Sequence, residues 1–295
     1  MTKRCLITGP TGLIGKQVVF NLKETWEVFG LIRKSEEVSS DHLRAISCDL
    51  AKDWPTDAFP DRVEAVIHLA QSQHYREFPA QSDDLFRVNV SSTYRLLDYA
   101  RRAHAETFVL ASSGGIYGYG DEPFEEESPV LGKGDLGFYL GTKLCSEILA
   151  EAYTDFMNVI ILRFFFVYGP EQPNDRLIPR LITAVKEGSP IILHGEEGMK
   201  INPIYVTDAA NAVCHALELT GSRKINVAGP EVKSLKQIGQ HIGTVLKREP
   251  VFNIQEQIQP HHLMGATQRM GKLLGQPQVR FENGILTCIE DMQHG

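Results

Sequence analysis

Short runs of β-branched and apolar residues alternate with amphipathic stretches over the first two-thirds of the chain. The apolar runs predict strands at residues 4–8, 27–32, 43–47, 65–70, 107–111 and 159–164. Apolar positions recurring with a helical period predict helices over residues 13–23, 83–103 and 138–156. Such periodicities separate half-buried or buried strands from helices. Strands alternating with helices build a parallel sheet covered on both faces. The expected class is therefore α/β, a doubly wound parallel sheet.

The rhythm changes after Gly169-Pro170. Residues 175–187 predict a helix closed by Gly188-Ser189-Pro190. Residues 207–219 predict another, capped by Thr207 or Asp208, and residues 234–246 a third, capped by Ser234. Between them, residues 225–228 form a short strand able to rejoin the main sheet. From residue 249 the pattern weakens. Residues 1–170 with about 204–230 are expected to form the main domain, which the glycine-rich turn after the first strand (Gly9, Gly12, Gly15) marks as dinucleotide-binding. Residues 171–203 and 231–295 would form a smaller, interleaved C-terminal substrate domain.

Composition narrows the classes. The 295 residues, 42% of them hydrophobic, suffice for one large α/β unit with an annex. A net charge of −7 argues against broad attraction to nucleic acid or an anionic membrane. There is no apolar run of about 18 residues and no signal-peptide-like start, so a cytoplasmic location is expected. Five scattered cysteines without a C-x-x-C suggest neither disulfides nor a zinc site. His261-His262 lacks a third ligand at sensible spacing, so no metal is expected.

The first strand runs into Gly9-Pro10-Thr11-Gly12-Leu13-Ile14-Gly15. A glycine-rich turn between strand and helix lets backbone N–H groups approach a pyrophosphate, and the helix N-terminus adds its positive dipole end. The G-x-x-G-x-x-G spacing differs from the commoner dinucleotide fingerprint and also suits an ordinary βα turn. The second strand ends in Arg33-Lys34-Ser35 with no acidic residue. A basic end accommodates an adenosine 2′-phosphate, which favours NADP over NAD; a solvated loop is the alternative. Asp49 either accepts from an adenine amino group or caps the next turn.

Tyr139 and Lys143 lie four apart in a predicted helix and so share a face. An ammonium near a phenol favours the phenolate and lowers a pKa that is ordinarily near 10. The phenol can then exchange a proton with a substrate hydroxyl or carbonyl. Ser113, just past the fifth strand, lies where parallel sheets bind ligands and can hold the substrate oxygen; capping a turn is its other use.

These motifs, with Val88-Asn89-Val90, Ser112–Gly118, Val167-Tyr168-Gly169-Pro170 and Ile204-Tyr205-Val206-Thr207-Asp208, resemble the extended short-chain dehydrogenase/reductase superfamily. Its branch includes NAD(P)-dependent nucleotide-sugar epimerases, dehydratases and ketoreductases. The resemblance implies a Rossmann-type fold and a catalytic Ser113, Tyr139 and Lys143. It implies a cofactor lined by Gly9 to Gly15, Arg33, Lys34, Asp49, Leu50, Leu69, Ala70, Gln71, Asn89, Ala111 and Phe166. It also implies a homodimer through the helices at 83–103 and 138–156. His74, Gly114, Gly115, Phe166, Arg176 and Arg180 are the candidate substrate contacts beside Ser113.

Three departures narrow the chemistry. Gly114 and Gly115 stand where sugar 4,6-dehydratases of this branch carry an Asp-Glu pair, so water elimination is not expected. Phe166 replaces a usual asparagine, and Ile201-Asn202 replaces an Arg-Asp pair that contacts the nucleotide diphosphate. Losing that arginine removes a charge-assisted phosphate contact; Arg176, Arg180 or Lys200 could substitute. The expected activity is an epimerase or ketoreductase acting by hydride transfer on a secondary alcohol or ketone of a nucleotide-linked sugar. The alternatives are an NADP-dependent reductase of a non-sugar ketone and a non-catalytic dinucleotide-sensing regulator.

Overall fold

The computed structural model describes residues 2–34, 42–130 and 136–294. In chain order the strands are β1 (Lys3–Thr8), β2 (Trp26–Ile32), β3 (Arg44–Ser47), β4 (Ala65–His68), β5 (Thr107–Ser113) and β6 (Asn158–Phe164). They continue with β7 (Val167–Tyr168), β8 (Ile191–His194), β9 (Lys200–Ile201), β10 (Ile204–Tyr205), β11 (Arg223–Val227), β12 (Lys233–Ser234) and β13 (Phe252–Gln255). The helices are α1 (Leu13–Leu22), α2 (Ser82–Phe86), α3 (Ser92–Arg102), α4 (Gly137–Glu151) and α5 (Leu177–Glu187). After them come α6 (Val206–Ala216), α7 (Leu235–Leu246), α8 (Gln268–Leu273) and α9 (Phe281–His294).

Seven strands form one parallel sheet in the order β11-β6-β5-β4-β1-β2-β3. The order reverses between β1 and β4. Crossover helices from the two sides diverge there and leave a crevice beyond the strand C-termini. The Gly9–Gly15 turn leaves β1 at that point, and residues 69–71 leave β4 beside it.

Alternation along each strand divides the core between the two faces. On β1, Cys5 and Ile7 pack with Val18 and Leu22 of α1 and Ala209 and Val213 of α6. Leu6 faces the other way, with Leu96, Leu97 and Ala100 of α3 and Phe108 of β5. A third cluster joins Ile178 and Leu181 of α5, Leu193 of β8, Ile238 of α7 and Ile285 of α9.

The helix expected over residues 83–103 is interrupted. A π-helical turn, Arg87–Ser91, separates α2 from α3. The extra residue in that turn sets Asn89 in the buried seam facing α4. Thr207 and Asp208 do not cap α6: Tyr205 holds the N-cap position without a side-chain bond. Asp208 lies in the first turn and accepts from the Val279 amide at 2.8 Å. Ser234 does cap α7, within a full capping box with Gln237. The strand expected at 225–228 is β11, paired parallel to β6. Past residue 249 the chain supplies β13, which pairs with β8, then α8 and α9.

Candidate active site

The turn after β1 is built for close approach. Gly9 has φ of +68°, in the left-handed region, and a Cβ there would sit 3.1 Å from the Ala70 nitrogen. A Cβ on Gly15 would lie 2.0 Å from the Gly9 carbonyl oxygen, so no side chain fits. Gly12 caps α1 with no side-chain bond, and the first turn carries no acidic residue. The N–H groups of Leu13, Ile14 and Gly15 thus open the helix unopposed by carboxylate. Donors, curvature and charge all fit a dinucleotide pyrophosphate.

A buried hydrogen-bond chain fixes β4 against this turn. The Ala70 amide donates to Thr8 Oγ1 at 3.0 Å. His68 Nδ1 bonds the Thr8 hydroxyl at 2.7 Å and Nε2 bonds Thr93 Oγ1 at 3.1 Å. Because Thr93 spends its own proton on the Asn89 carbonyl, Nε2 is the donor, and the Thr8 hydroxyl donates to Nδ1 of the neutral ring. Thr93 donates onward to the Asn89 carbonyl at 2.6 Å. Burial, helped by the Lys143 charge, pushes the His68 pKa down to about 3.

At the end of β2, Arg33 and Lys34 are exposed, and Arg33 Nη2 donates to Gln73 Oε1 at 3.2 Å. Ser35 lies outside the described residues. Asp49 Oδ1 accepts from the Ala51 amide at 3.1 Å, which is the turn-capping role. Leu50 and Leu69 are half-buried and pack on opposite faces of the core.

Tyr139 and Lys143 both project from α4 toward the ends of β4 and β5. Lys143 is buried, and its Nζ donates to the Ala111 carbonyl of β5 at 3.0 Å. Burial lowers its pKa to about 8, opposed by the Glu147 carboxylate. The Tyr139 hydroxyl donates to Gln71 Oε1 at 2.7 Å. Burial raises its pKa, Tyr75 adds to this, and Arg176 offsets it. The cation that offsets this burial is Arg176, the residue before α5.

Ser113 ends β5 and caps a short 3-10 turn, Gly114–Tyr117, with its Oγ accepting from the Gly115 amide at 3.1 Å. That bond leaves the hydroxyl proton available for donation. Ser112 is turned inward, donating to Glu147 Oε1 at 2.5 Å. A Cβ on Gly114 would lie 2.4 Å from the Phe165 ring, and one on Gly115 2.9 Å from Leu140. Neither position has room for a carboxylate without rearrangement. Asn89 joins the assembly, accepting from the Ser72 amide at 3.0 Å and donating to Thr142 Oγ1 at 2.8 Å.

The other candidates stand apart from these bonds. His74 pairs at the surface with Glu77 at 2.9 Å, a hydrogen bond that raises its pKa. Arg180 is exposed on α5. Arg176 is closer to the chemistry: it bonds the Tyr75 hydroxyl, and the Tyr75 ring lies 5.3 Å from that of Tyr139. Phe166 has φ of +45°, a left-handed conformation in which an asparagine is less strained. Ile201 is fully buried, and Asn202 bonds Gly265 through both side-chain atoms, at 2.7 and 3.0 Å. No group of His, Cys, Asp or Glu among the described residues is arranged to hold a metal ion. No helix among them is long and apolar enough to cross a membrane.

Tyr75, beside the candidate His74 in the loop after the fourth strand, also joins this assembly. Glu147 was not foreseen, although it carries a spacing signal: it follows Lys143 by four and Tyr139 by eight along the same helix.

A Rossmann-type sheet with a glycine cradle at its switch point and a tyrosine-lysine pair beside it defines an enzyme of the extended short-chain dehydrogenase/reductase type. The chain belongs to the NAD dependent epimerase/dehydratase family, whose model matches residues 5–228. It is 26% identical to UDP-N-acetyl-alpha-D-glucosaminuronate decarboxylase of Bacillus cytotoxicus, covering 82% of this chain and 80% of that protein. It is 28% identical to UDP-glucuronate 4-epimerase of Thermodesulfobacterium geofontis, covering 76% and 74%. Among solved structures, MoeE5 in complex with UDP-glucose and NAD superimposes with a TM-score of 0.84 at 27% identity over 99% of both chains. The cofactor in that complex is NAD, and the comparisons give no support to the preference for NADP.

Proposed function

We propose that this enzyme is an epimerase or ketoreductase of a nucleotide-linked sugar, working by hydride transfer at a secondary alcohol carbon with NAD as its coenzyme. The observation that carries the reading is that α4 brings Tyr139 to Gln71, after β4, and the buried Lys143 to Ala111 of β5, at the strand ends beside the glycine cradle. The UDP-sugar names of the relatives and neighbours support the substrate class.

In this proposal the Gly9–Gly15 turn and the N-terminal amides of α1 hold the pyrophosphate. A bound nicotinamide supplies the hydride acceptor. Ser113 donates to the substrate oxygen, and Tyr139 takes or returns its proton. Lys143 holds a positive charge beneath the phenol and aligns the neighbouring ribose. Gln71, which accepts the Tyr139 hydrogen bond, gives way to substrate. Arg33 leaves NADP as the second coenzyme to be measured. We further propose that the segments after residue 170, apart from the return through α6 and β11, form the substrate domain. The exposed Tyr94 of α3 and Ile148 of α4 support pairing of these helices across a homodimer.

The test is direct. The purified chain is incubated with UDP- and dTDP-hexoses and uronates and with NAD or NADP, and products are read by NMR. Interconversion of C4 epimers without net coenzyme reduction supports the epimerase; stoichiometric coenzyme turnover supports the ketoreductase. A second reading, a reductase of a non-sugar ketone, is favoured by the buried Ile201, which offers the diphosphate no charge. Turnover of apolar ketones with no turnover of any nucleotide sugar would establish it.

A further inference from the structure

Between β4 and α2 the chain makes a loop, residues 73–81, without helix or strand. Its base is fixed. The buried Ser72 donates its amide to Asn89 at 3.0 Å and bonds Asp84 through its hydroxyl. The other end runs into α2. The loop's own backbone bonds stay inside it, from the Glu77 amide to the His74 carbonyl at 2.8 Å and from Gln81 to Glu77 at 2.9 Å. Side chains carry its contacts with α4 and with the segment leading into α5.

Tyr75 is at the centre of those contacts. Its ring lies 5.3 Å from the Tyr139 ring, and Arg176 donates to its hydroxyl. The guanidinium carbons of Arg176 and Arg76 stand 4.6 and 5.0 Å from the centre of the same ring. Arg76 also pairs with the Asp175 carboxylate at 3.2 Å and reaches the Asp175 carbonyl at 3.4 Å. Three residues past Tyr75, Phe78 stacks on Phe138 of α4 at 4.9 Å. The Tyr139 hydroxyl meanwhile bonds Gln71 Oε1 at 2.7 Å. The phenol is thus covered on its ring by Tyr75 and at its oxygen by Gln71. We propose that residues 73–78 are a gate: Tyr75, docked on Tyr139 and latched through Arg176 and the Arg76–Asp175 pair, closes the site over the phenol, and substrate enters by displacing it.

The latch has the strength such a gate needs. The Arg76 and Asp175 side chains are 54% and 56% exposed. A surface pair of this kind biases an equilibrium by about fivefold or less. The bond from Arg176 has a charged donor and is partly buried, so it adds more. Together they keep the gate shut in most molecules. Opening breaks side-chain bonds and leaves the loop's backbone bonds intact, so it does not require the fold to open. With Ser72 and α2 as fixed ends, the motion is a swing of residues 73–78. A site open in only a fraction of molecules binds its ligand more weakly by that fraction, so the latch sets how readily substrate is admitted.

The gate rests on the reading of Tyr139 as the reactive phenol, but its test needs neither substrate nor coenzyme. The full chain is treated with tetranitromethane, and nitration of each tyrosine is timed by mass spectrometry of its peptides. Tyr75→Phe combined with Arg76→Gln cuts both latch bonds and keeps the covering ring. Tyr139 nitration is expected to speed up on the order of tenfold in that double variant, and by about three- to fivefold in each single variant. Arg76→Lys can keep the pair with Asp175 and should stay within about twofold of the unsubstituted chain. Tyr99, 4% exposed in the core, reports on the fold and should stay slow throughout. A Tyr139 rate within about twofold of the unsubstituted chain in the double variant, or a Tyr99 rate rising in step with it, would overturn the gate. If the double variant does not fold, Tyr75→Phe alone decides on the same two criteria. Absent turnover would count against the proposed reaction and leave the labelling result standing.

Discussion

The Asn89 carboxamide donates to Thr142 Oγ1 at 2.8 Å, tying the π-helical turn to α4 one residue before Lys143. The same side chain accepts from the Ser72 amide at 3.0 Å, so one buried group holds three segments at the rim of the crevice.

Replacing Asn89 by leucine keeps the volume and removes both bonds. The Ser72 amide is then left without its acceptor in a buried setting. The expected cost is about 1–3 kcal/mol of stability, read as a lowered urea midpoint. Turnover should fall more than coenzyme affinity, because the bond to Thr142 acts on the catalytic helix one residue before Lys143. Unchanged stability would mean that the seam tolerates an apolar pair.

Tyr139→Phe removes the proposed proton donor and its 2.7 Å bond to Gln71. Loss of a positioned acid–base group costs on the order of 100- to 10,000-fold in rate. Coenzyme binding, followed by fluorescence titration, should stay within a few-fold of the unsubstituted enzyme, a difference on the order of 1 kcal/mol or less. Turnover at the original rate would remove Tyr139 from the mechanism.

Gly15→Ala tests the cradle separately. The added methyl carbon would meet the Gly9 carbonyl oxygen at 2.0 Å, a backbone atom with no side-chain freedom to yield. The turn must open, and the first-turn amides lose their aim. We expect dinucleotide binding to be abolished by calorimetry while the far-UV spectrum stays α/β. Intact binding would place the pyrophosphate elsewhere.

Much of this site was readable in the chain because its parts are local. The cradle depends on glycines three apart, and the Tyr139–Lys143 relation on one helical turn. Strand order and the second half of the sheet were less so. Residues 225–228 looked like a strand, but only the pairing of β11 with β6 makes it an edge of the main sheet. The π-helical turn was not legible, since no residue type marks its bonding and the stretches on either side of it each keep a helical period. Likewise, the burial that raises the Tyr139 pKa is partly offset by Arg176, which is distant along the chain and bonds the neighbouring Tyr75. The weak tail after residue 249 becomes intelligible once its strand pairs with β8 and Phe281 and Ile285 pack into the third cluster.

His68 gives the fold an acid limit. Its ring accepts from Thr8 and donates to Thr93, so both nitrogens are committed to the neutral form. Burial lowers its pKa from the ordinary 6.5 to about 3. Between those values the unfolded chain binds a proton that the folded chain refuses, so stability falls as pH drops below about 6.5. At pH 4.5 the loss from this group alone should be about 3 kcal/mol relative to neutral pH. His68→Gln can keep one donor and one acceptor without titrating. The difference in urea unfolding free energy between pH 7 and pH 4.5 should therefore shrink by about that amount in the variant, since the carboxylates titrate alike in both. Parallel losses in the two proteins would show that His68 is protonated in the fold, and that the Thr8 hydroxyl has turned to accept.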